Sequence, residues 1–295
     1  HMIKTHQESG ADVTIAAVPV ASQEDARLVL MRLDDTGRVD GFLEKPKNEK
    51  ELAMVRTDPG WIDARGIESR GRDCLASMGI YLFNRQALVD VLQKTAYEDF
   101  GREIFPASIR TRHVQVHLFD GYWEDIGTIK SFFGANLSLT SARPSFDLNA
   151  PDAPIYSRAR FLPPSRMDGA TVRSSLVADG CIIHEGTVIE NSVIGLRCLI
   201  GRDVEIRNSI IMGNDFYAIP GEPANHAPNG RPPLGIGPGT RIENAIIDKN
   251  CFIGRGARIS NGHGVESTDE NEFGMIRDGI FVIPKGVTIP DGWPM

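Results

Sequence analysis

Three short segments in the first half of the chain hold residues whose types and spacing could do chemistry. Phe42-Leu43-Glu44-Lys45-Pro46 sets a carboxylate beside an ammonium at the end of an extended run. Lys45 could neutralise a phosphate and Glu44 could accept hydrogen bonds from sugar hydroxyls, at the kind of strand end where ligands of open α/β sheets bind. A solvated strand end stopped by proline is the plain alternative. Residues 121–128 (GYWEDIGT) place Asp125 between an aromatic residue and a glycine at the start of a helix. Its hard carboxylate oxygens suit Mg²⁺, which in turn binds phosphate, and Trp123 offers a flat face to a sugar. Asp125 as a helix-terminal charge and Trp123 as core fit this segment equally well. In residues 76–81 (ASMGIY) alternation puts Ser77, Gly79 and Tyr81 on one face of a strand, as it would in an ordinary strand too.

These segments need a scaffold, and residues 1–140 read as a mixed α/β domain. The β-branched run VTIAAVPV (13–20) fits a strand buried on both faces of a largely parallel sheet, with helices on each side. Asp35-Thr36-Gly37 marks a turn into a second extended segment, 39–44. Strands are expected at 75–83 and 113–119, and helices at 85–93 and 129–139. His113 and His117 share a strand face but lack a third ligand, so a surface position is expected for both. The chain opens at HMIKTHQESG, a helical pattern with no capping residue before it, which leads to the expectation of a cloning remnant or a truncated start.

A Pro-rich stretch without periodicity, residues 141–168, reads as a linker. Beyond it, residues 169–295 change texture. Val172, Val177, Ile183, Ile189, Ile194, Ile200, Ile206 and Ile211 form a ladder with steps of 5 or 6, resumed by Ile236, Ile242, Ile247, Ile253 and Ile259. Two positions before each rung the residue is nearly always small. This is a hexapeptide repeat, and three steps of about 17 residues in sum close one triangular coil of a β-helix. Cys181 and Cys198, 17 apart, should therefore stack on adjacent coils. Residues 213–235, with five prolines, should be a loop thrown out of one coil.

Composition excludes several classes. The net charge of -7, spread over both halves, argues against a nucleic-acid or membrane-surface binder, and no window approaches the ~18 apolar residues of a membrane span. Four scattered cysteines without C-x-x-C spacing indicate buried thiols, not a disulfide framework or a structural zinc site.

Together FLEKP, SMGIY, DFGREIFP (99–106) and YWEDIGT resemble, in order and spacing, the sugar-nucleotide pyrophosphorylases. The phrase PIYSRARFLPPS (154–165) and the later IIDKN (246–250) resemble the glucose-1-phosphate adenylyltransferase family in particular. The resemblance covers essentially the whole chain. It implies an α/β fold, the C-terminal part of a Rossmann-like nucleotidyltransferase domain with a mixed sheet, followed by an all-β left-handed parallel β-helix for regulation and oligomerisation. It implies formation of ADP-glucose and pyrophosphate from ATP and glucose 1-phosphate with Mg²⁺, the committed, allosterically regulated step of glycogen or starch biosynthesis. By motif, Lys45 would contact the sugar phosphate, Glu44 and Ser77 would hold the sugar, Tyr81, Asp99, Phe100 and Trp123 would complete the pocket, and Asp125 would be a magnesium ligand. Lys249 and Lys285, the only lysines against thirteen arginines after residue 140, would bind anionic effectors, with Pro284 a departure that leaves the direction of Lys285 open. A homo- or heterotetramer in a bacterial cytoplasm or a plastid stroma is implied, the cytoplasm being the first expectation.

One departure is larger. The family's glycine-rich loop, G-G-x-G-x-R-L-x-P-L-T, does not occur in these residues, nor does a second magnesium-binding Asp; Gly235-Ile236-Gly237-Pro238-Gly239 lies within the ladder and reads as a coil turn. The expectation is a fragment, the C-terminal two thirds of such an enzyme, inactive on its own. The alternatives are another sugar-1-phosphate nucleotidyltransferase, a non-catalytic regulatory subunit, or an acyltransferase using the coil residue His184 as base.

Overall fold

The computed structural model describes residues 1–22, 28–44, 46, 48–151, 154–217 and 231–294. They form two compact units, His1–Trp123 and Glu124–Met295. The first unit runs α1 (Met2–Ser9), β1 (Val13–Val20), β2 (Val29–Leu33), β3 (Val39–Glu44), α2 (Glu49–Ala53), α3 (Pro59–Asp63), β4 (Cys74–Phe83), α4 (Arg85–Lys94), a π-helical turn (Phe100–Ile104), α5 (Phe105–Thr111) and β5 (Val114–Leu118). The strand order is β3-β2-β4-β1-β5.

Among the described strands of this unit only β1 and β5 pair in parallel; β1–β4, β2–β3 and β2–β4 are antiparallel. The largely parallel sheet expected from the β1 run is thus a mixed one. Burial on both faces is what such a run encodes, and it carries no information about strand direction. Val13, Ile15 and Ala17 enter one cluster with Met31, Leu75, Ile62 of α3 and Phe105 of α5. On the opposite face Leu30, Cys74 and Ala76 pack with Leu52 of α2, Val55 and Trp123. The β2–β3 hairpin turns at Asp34, whose carboxylate accepts from the Thr36 hydroxyl and from the Thr36 and Arg38 N–H groups at 2.6–3.0 Å. Those bonds, the hydroxyl's above all, hold Asp34 below the usual carboxylate range.

The second unit is a three-sided parallel β-helix. Ile183, Ile200, Ile236, Ile253 and Ile289 pair down one side, Val172, Ile189, Ile206, Ile242 and Ile259 down the second, and Val177, Ile194, Ile211, Ile247 and Ile283 down the third. Their side chains build one continuous core. The ladder therefore runs past Ile259 to Ile283 and Ile289. Steps of 36 residues instead of 17 separate partners across 260–279, as across the expected 213–235 loop, and they hide the last rungs from a search for steps of 5 or 6. Residues 218–230 of that loop lie outside the described residues.

Each corner needs a left-handed residue. Ser174, Asn191, Asn208 and Asn244 stack in one corner column at φ 44, 46, 44 and 49°, the region Asn tolerates best among residues bearing a Cβ, and Asn191 Nδ2 donates to Asn208 Oδ1 at 2.7 Å. Tight stacking also explains Gly237, where a Cβ would lie 2.6 Å from the Gly254 carbonyl carbon of the next coil. The small residues form their own ladder. Ser175, Ser192 and Ser209 each donate to the carbonyl two residues earlier, and their hydroxyls accept the N–H of Ser192, Ser209 and Ala245. Ser192→Ala strands the buried Ser209 N–H, so it should lower stability by about 1–3 kcal/mol. Urea unfolding followed by circular dichroism checks this, and an unchanged midpoint would mean another group takes up the N–H.

The outward faces are not all polar. Val193, Ile210, Ile246 and Val282 make an apolar strip covered by Ile129, Phe132, Phe133 and Leu137 of α6 (Ile129–Ser138), which starts at a Thr128–Ser131 capping box. All four cysteines are free and buried. Cys181 and Cys198 do stack, flanking the Ile182–Leu199 pair, and the Cys198 thiol donates to Cys181, which together with burial keeps Cys198 well above the usual thiol range. Burial pushes Cys74 and Cys251 up to about 11. Among the described residues no helix is long and apolar enough to cross a membrane.

Candidate functional site

In the first unit the sheet register decides which candidates meet. Val29 pairs with Glu44 and Leu30 with Ala76, so one further step puts Ser77 beside Val29. Ser77 also pairs with Ala17. Glu44, Val29, Ser77 and Ala17 thus form a row across neighbouring strands, on the face of Met31 and Leu75. With strands about 4.8 Å apart, Glu44 and Ser77 stand about 10 Å from each other. The expected alternation 77-79-81 breaks here. Pairing jumps from Ala17–Ser77 to Ile15–Tyr81, and Gly79 sits in the intervening bulge at φ 72°, its N–H 3.4 Å from Ser77 Oγ. Because Ala17 and Ile15 are two residues apart, Ser77 and Tyr81 still share the face while Gly79 leaves it.

The Tyr81 ring lies 4.4 Å from Phe105 and stacks on Phe100 at 6.2 Å and 11°. Phe100 opens the π-helical turn and is 38% exposed. That turn is closed by its own residues. The Asp99 carbonyl accepts from the Glu103 and Ile104 N–H groups, while the Glu103 carboxylate accepts from the Glu98 and Asp99 N–H groups at 2.8 and 3.1 Å. Phe100 is thereby presented beside Tyr81, and Asp99 precedes it at the mouth of the turn, a helix type that recurs at functional sites. Lys45 lies outside the described residues. Trp123 packs into the cluster on the opposite face.

Asp125 belongs to the second unit. It is exposed, and its Oδ1 accepts the Gly127 N–H at 3.0 Å; Thr128, not Asp125, caps α6. No group of three His, Cys, Asp or Glu side chains suited to a metal occurs among the described residues. A single carboxylate of this kind fits Mg²⁺, which keeps several waters and takes its other ligands from phosphates. His113 and His117, both half-buried, make polar contacts instead, His113 with Gln115 at 3.3 Å and His117 with Thr5 of α1 at 2.9 Å.

The second unit also brings Lys249 and Lys285 together from adjacent coils. Their Nζ atoms lie 2.8 and 2.9 Å from the two carboxylate oxygens of Asp215. Asn250, left-handed at φ 60°, donates to Asp215 at 3.0 Å and accepts the Asp215 N–H at 2.8 Å. Beside this cluster opens a cavity of about 550 Å³ whose wall includes Arg158, Arg160, Arg197 and Lys249. Sequence reasoning found the two lysines and missed Asp215 and the three arginines. Asp215 is 34 and 70 residues from its lysine partners, and no local motif announces it.

Residues 1–142 match the nucleotidyl transferase family, and residues 160–293 match the GLGC left-handed parallel β-helix domain. Over 294 residues the chain is 40% identical to the large subunit 1 of glucose-1-phosphate adenylyltransferase, chloroplastic/amyloplastic, of Zea mays, covering 99% of this chain and 57% of that protein. The chain thus spans a little over half the length of this relative. A nucleotidyl transferase match over the first part of the chain, a GLGC-type left-handed β-helix match over the second and 40% identity running through both make the chain similar to the large subunit of glucose-1-phosphate adenylyltransferase.

Proposed function

We propose that this chain provides the sugar-phosphate half of the catalytic domain and the regulatory coil of an enzyme that makes ADP-glucose and pyrophosphate from ATP and α-D-glucose 1-phosphate, the committed step toward glycogen or starch. The observation that carries this reading is the shared face of Glu44, Ser77 and Tyr81, with Phe100 stacked beside it; Asp99, next to Phe100 in the chain, would complete the pocket. On it Glu44 and Ser77 would hold the sugar hydroxyls, the Tyr81–Phe100 stack would wall the ring, and Lys45 would neutralise the phosphate. The reaction is in-line attack of a phosphate oxygen on the α-phosphorus of ATP, so alignment and charge neutralisation are the protein's main contributions. Asp125 would help to hold Mg²⁺, which supplies charge neutralisation on the phosphates when bound.

In the same reading residues 1–140 are catalytic, 141–168 a linker and 169–295 a regulatory and oligomerisation coil of a tetramer. Lys249 and Lys285 would take anionic effectors. The regulation-only subunit remains an outcome of the test. Titration calorimetry of glucose 1-phosphate into the 295-residue chain should show binding, whereas the chain with ATP, glucose 1-phosphate and Mg²⁺ should release no pyrophosphate, because the nucleotide-cradling loop is not among these residues. Absence of sugar-phosphate binding would remove the catalytic half of the proposal, and pyrophosphate release would overturn the expected inactivity.

A further inference from the structure

We propose that Asp215 is the resident anion of the Lys249–Lys285 site, and that a phosphate-type dianion occupies the site by displacing it. This rests on the effector reading of the two lysines given above. The carboxylate is held as a bound anion would be. Each oxygen takes one ammonium, at 2.8 and 2.9 Å, and Asn250 grips the residue through both its backbone N–H and its carboxylate. The lysines come from turns of adjacent coils, 36 residues apart in the chain, each just after a paired strand, so the two ammonium groups are brought together before any ligand arrives. Asp215 is 39% exposed, so a competitor reaches it without unfolding anything.

The surroundings say which competitor succeeds. The adjoining cavity adds Arg158, Arg160 and Arg197 to the two lysines, against the carboxylates of Asp215 and the nearby Asp248. A monoanion replacing Asp215 exchanges one charge for one and loses the pre-organisation of a tethered carboxylate. A dianion brings a second charge that the guanidinium groups can meet, and phosphate oxygens suit their forked donors. Protonation does not open the site at neutral pH, because hydrogen bonds from Lys249, Lys285 and Asn250 hold Asp215 far below the usual carboxylate range, and Lys285 is correspondingly raised. Asp215 would thus set a charge threshold that an effector must exceed.

The test titrates inorganic phosphate at pH 8, where it is mainly dianionic, into the 295-residue chain at constant ionic strength. Wild type, Asp215→Asn and the double variant Asp215→Asn/Lys249→Gln are compared by calorimetry, with circular dichroism as the fold control. Asp215→Asn keeps the Asn250 contacts and should bind phosphate at least about tenfold tighter than wild type, and the added Lys249→Gln should remove that gain. Equal affinities of wild type and Asp215→Asn, both weakened by Lys249→Gln, would overturn the role of Asp215 while leaving the anion site standing. Binding by none of the three, or binding insensitive to Lys249, would remove the effector reading and this proposal with it.

Discussion

Ile206→Asp is expected to unfold the β-helix under conditions in which the wild-type chain is fully folded. Ile206 is 0% exposed and stacks between Ile189 on one coil and Ile242 on the other. A carboxyl there stands between two isoleucines in the apolar core of the coil, and burying it without a partner costs several kcal/mol even after it takes up a proton, against a typical domain's stability of about 5–15 kcal/mol. Ile206→Val should cost only about 0.5–1.5 kcal/mol, the loss of one methylene and a small cavity. Arg207→Ala, one residue on, should stay within about 1 kcal/mol, since Arg207 is half-exposed and its ion pairs with Glu190 and Glu205 span 3.5 and 3.8 Å. Far-UV circular dichroism during urea titration separates the three. Equal midpoints for Ile206→Asp and Arg207→Ala would mean that Ile206 does not face the interior.

That contrast between neighbours is what made the coil legible from sequence. An interior that accepts only Ile or Val at every fifth or sixth residue writes a period into the chain, and thirteen rungs announced it. The period fails where the chain leaves the coil, which is why Ile283 and Ile289 escaped until their pairing with Ile247 and Ile253 was seen. In the first unit, element types were legible for a similar reason. The β1 run, the Asp34–Gly37 turn and the helix after Asn84 all follow local chemistry. Strand direction was not, because burial on two faces is the same for parallel and antiparallel neighbours. The bulge at Gly79 was also hidden, although it decides that Ser77 and Tyr81 share a face; a glycine within a strand is the only local hint of it. The meeting of Asp215 with Lys249 and Lys285 is a product of tertiary structure, since Asp215 lies 34 and 70 residues from them.

Glu44→Ala should weaken glucose 1-phosphate binding to the 295-residue chain by about 10- to 100-fold, the loss expected for hydrogen bonds to a charged acceptor worth about 1.5–3 kcal/mol. Ser77→Ala should weaken it by about 2- to 10-fold, as fits one neutral hydroxyl of about 0.5–1.5 kcal/mol. The row Glu44–Val29–Ser77 gives the two side chains a common face about 10 Å apart, a span that a hexose with its hydroxyls bridges. If both hold one ring, removing either loosens the ring against the other. The double variant should then lose less than the product of the single effects, a coupling that independent sites would not show. Glu44 is exposed on the edge strand β3 and Ser77 is half-buried on the central strand β4, so thermal midpoints should move little, which separates lost affinity from lost fold. Wild-type affinity in Glu44→Ala would take the sugar off this face, whereas strictly multiplicative losses would place the two residues on different parts of the ligand.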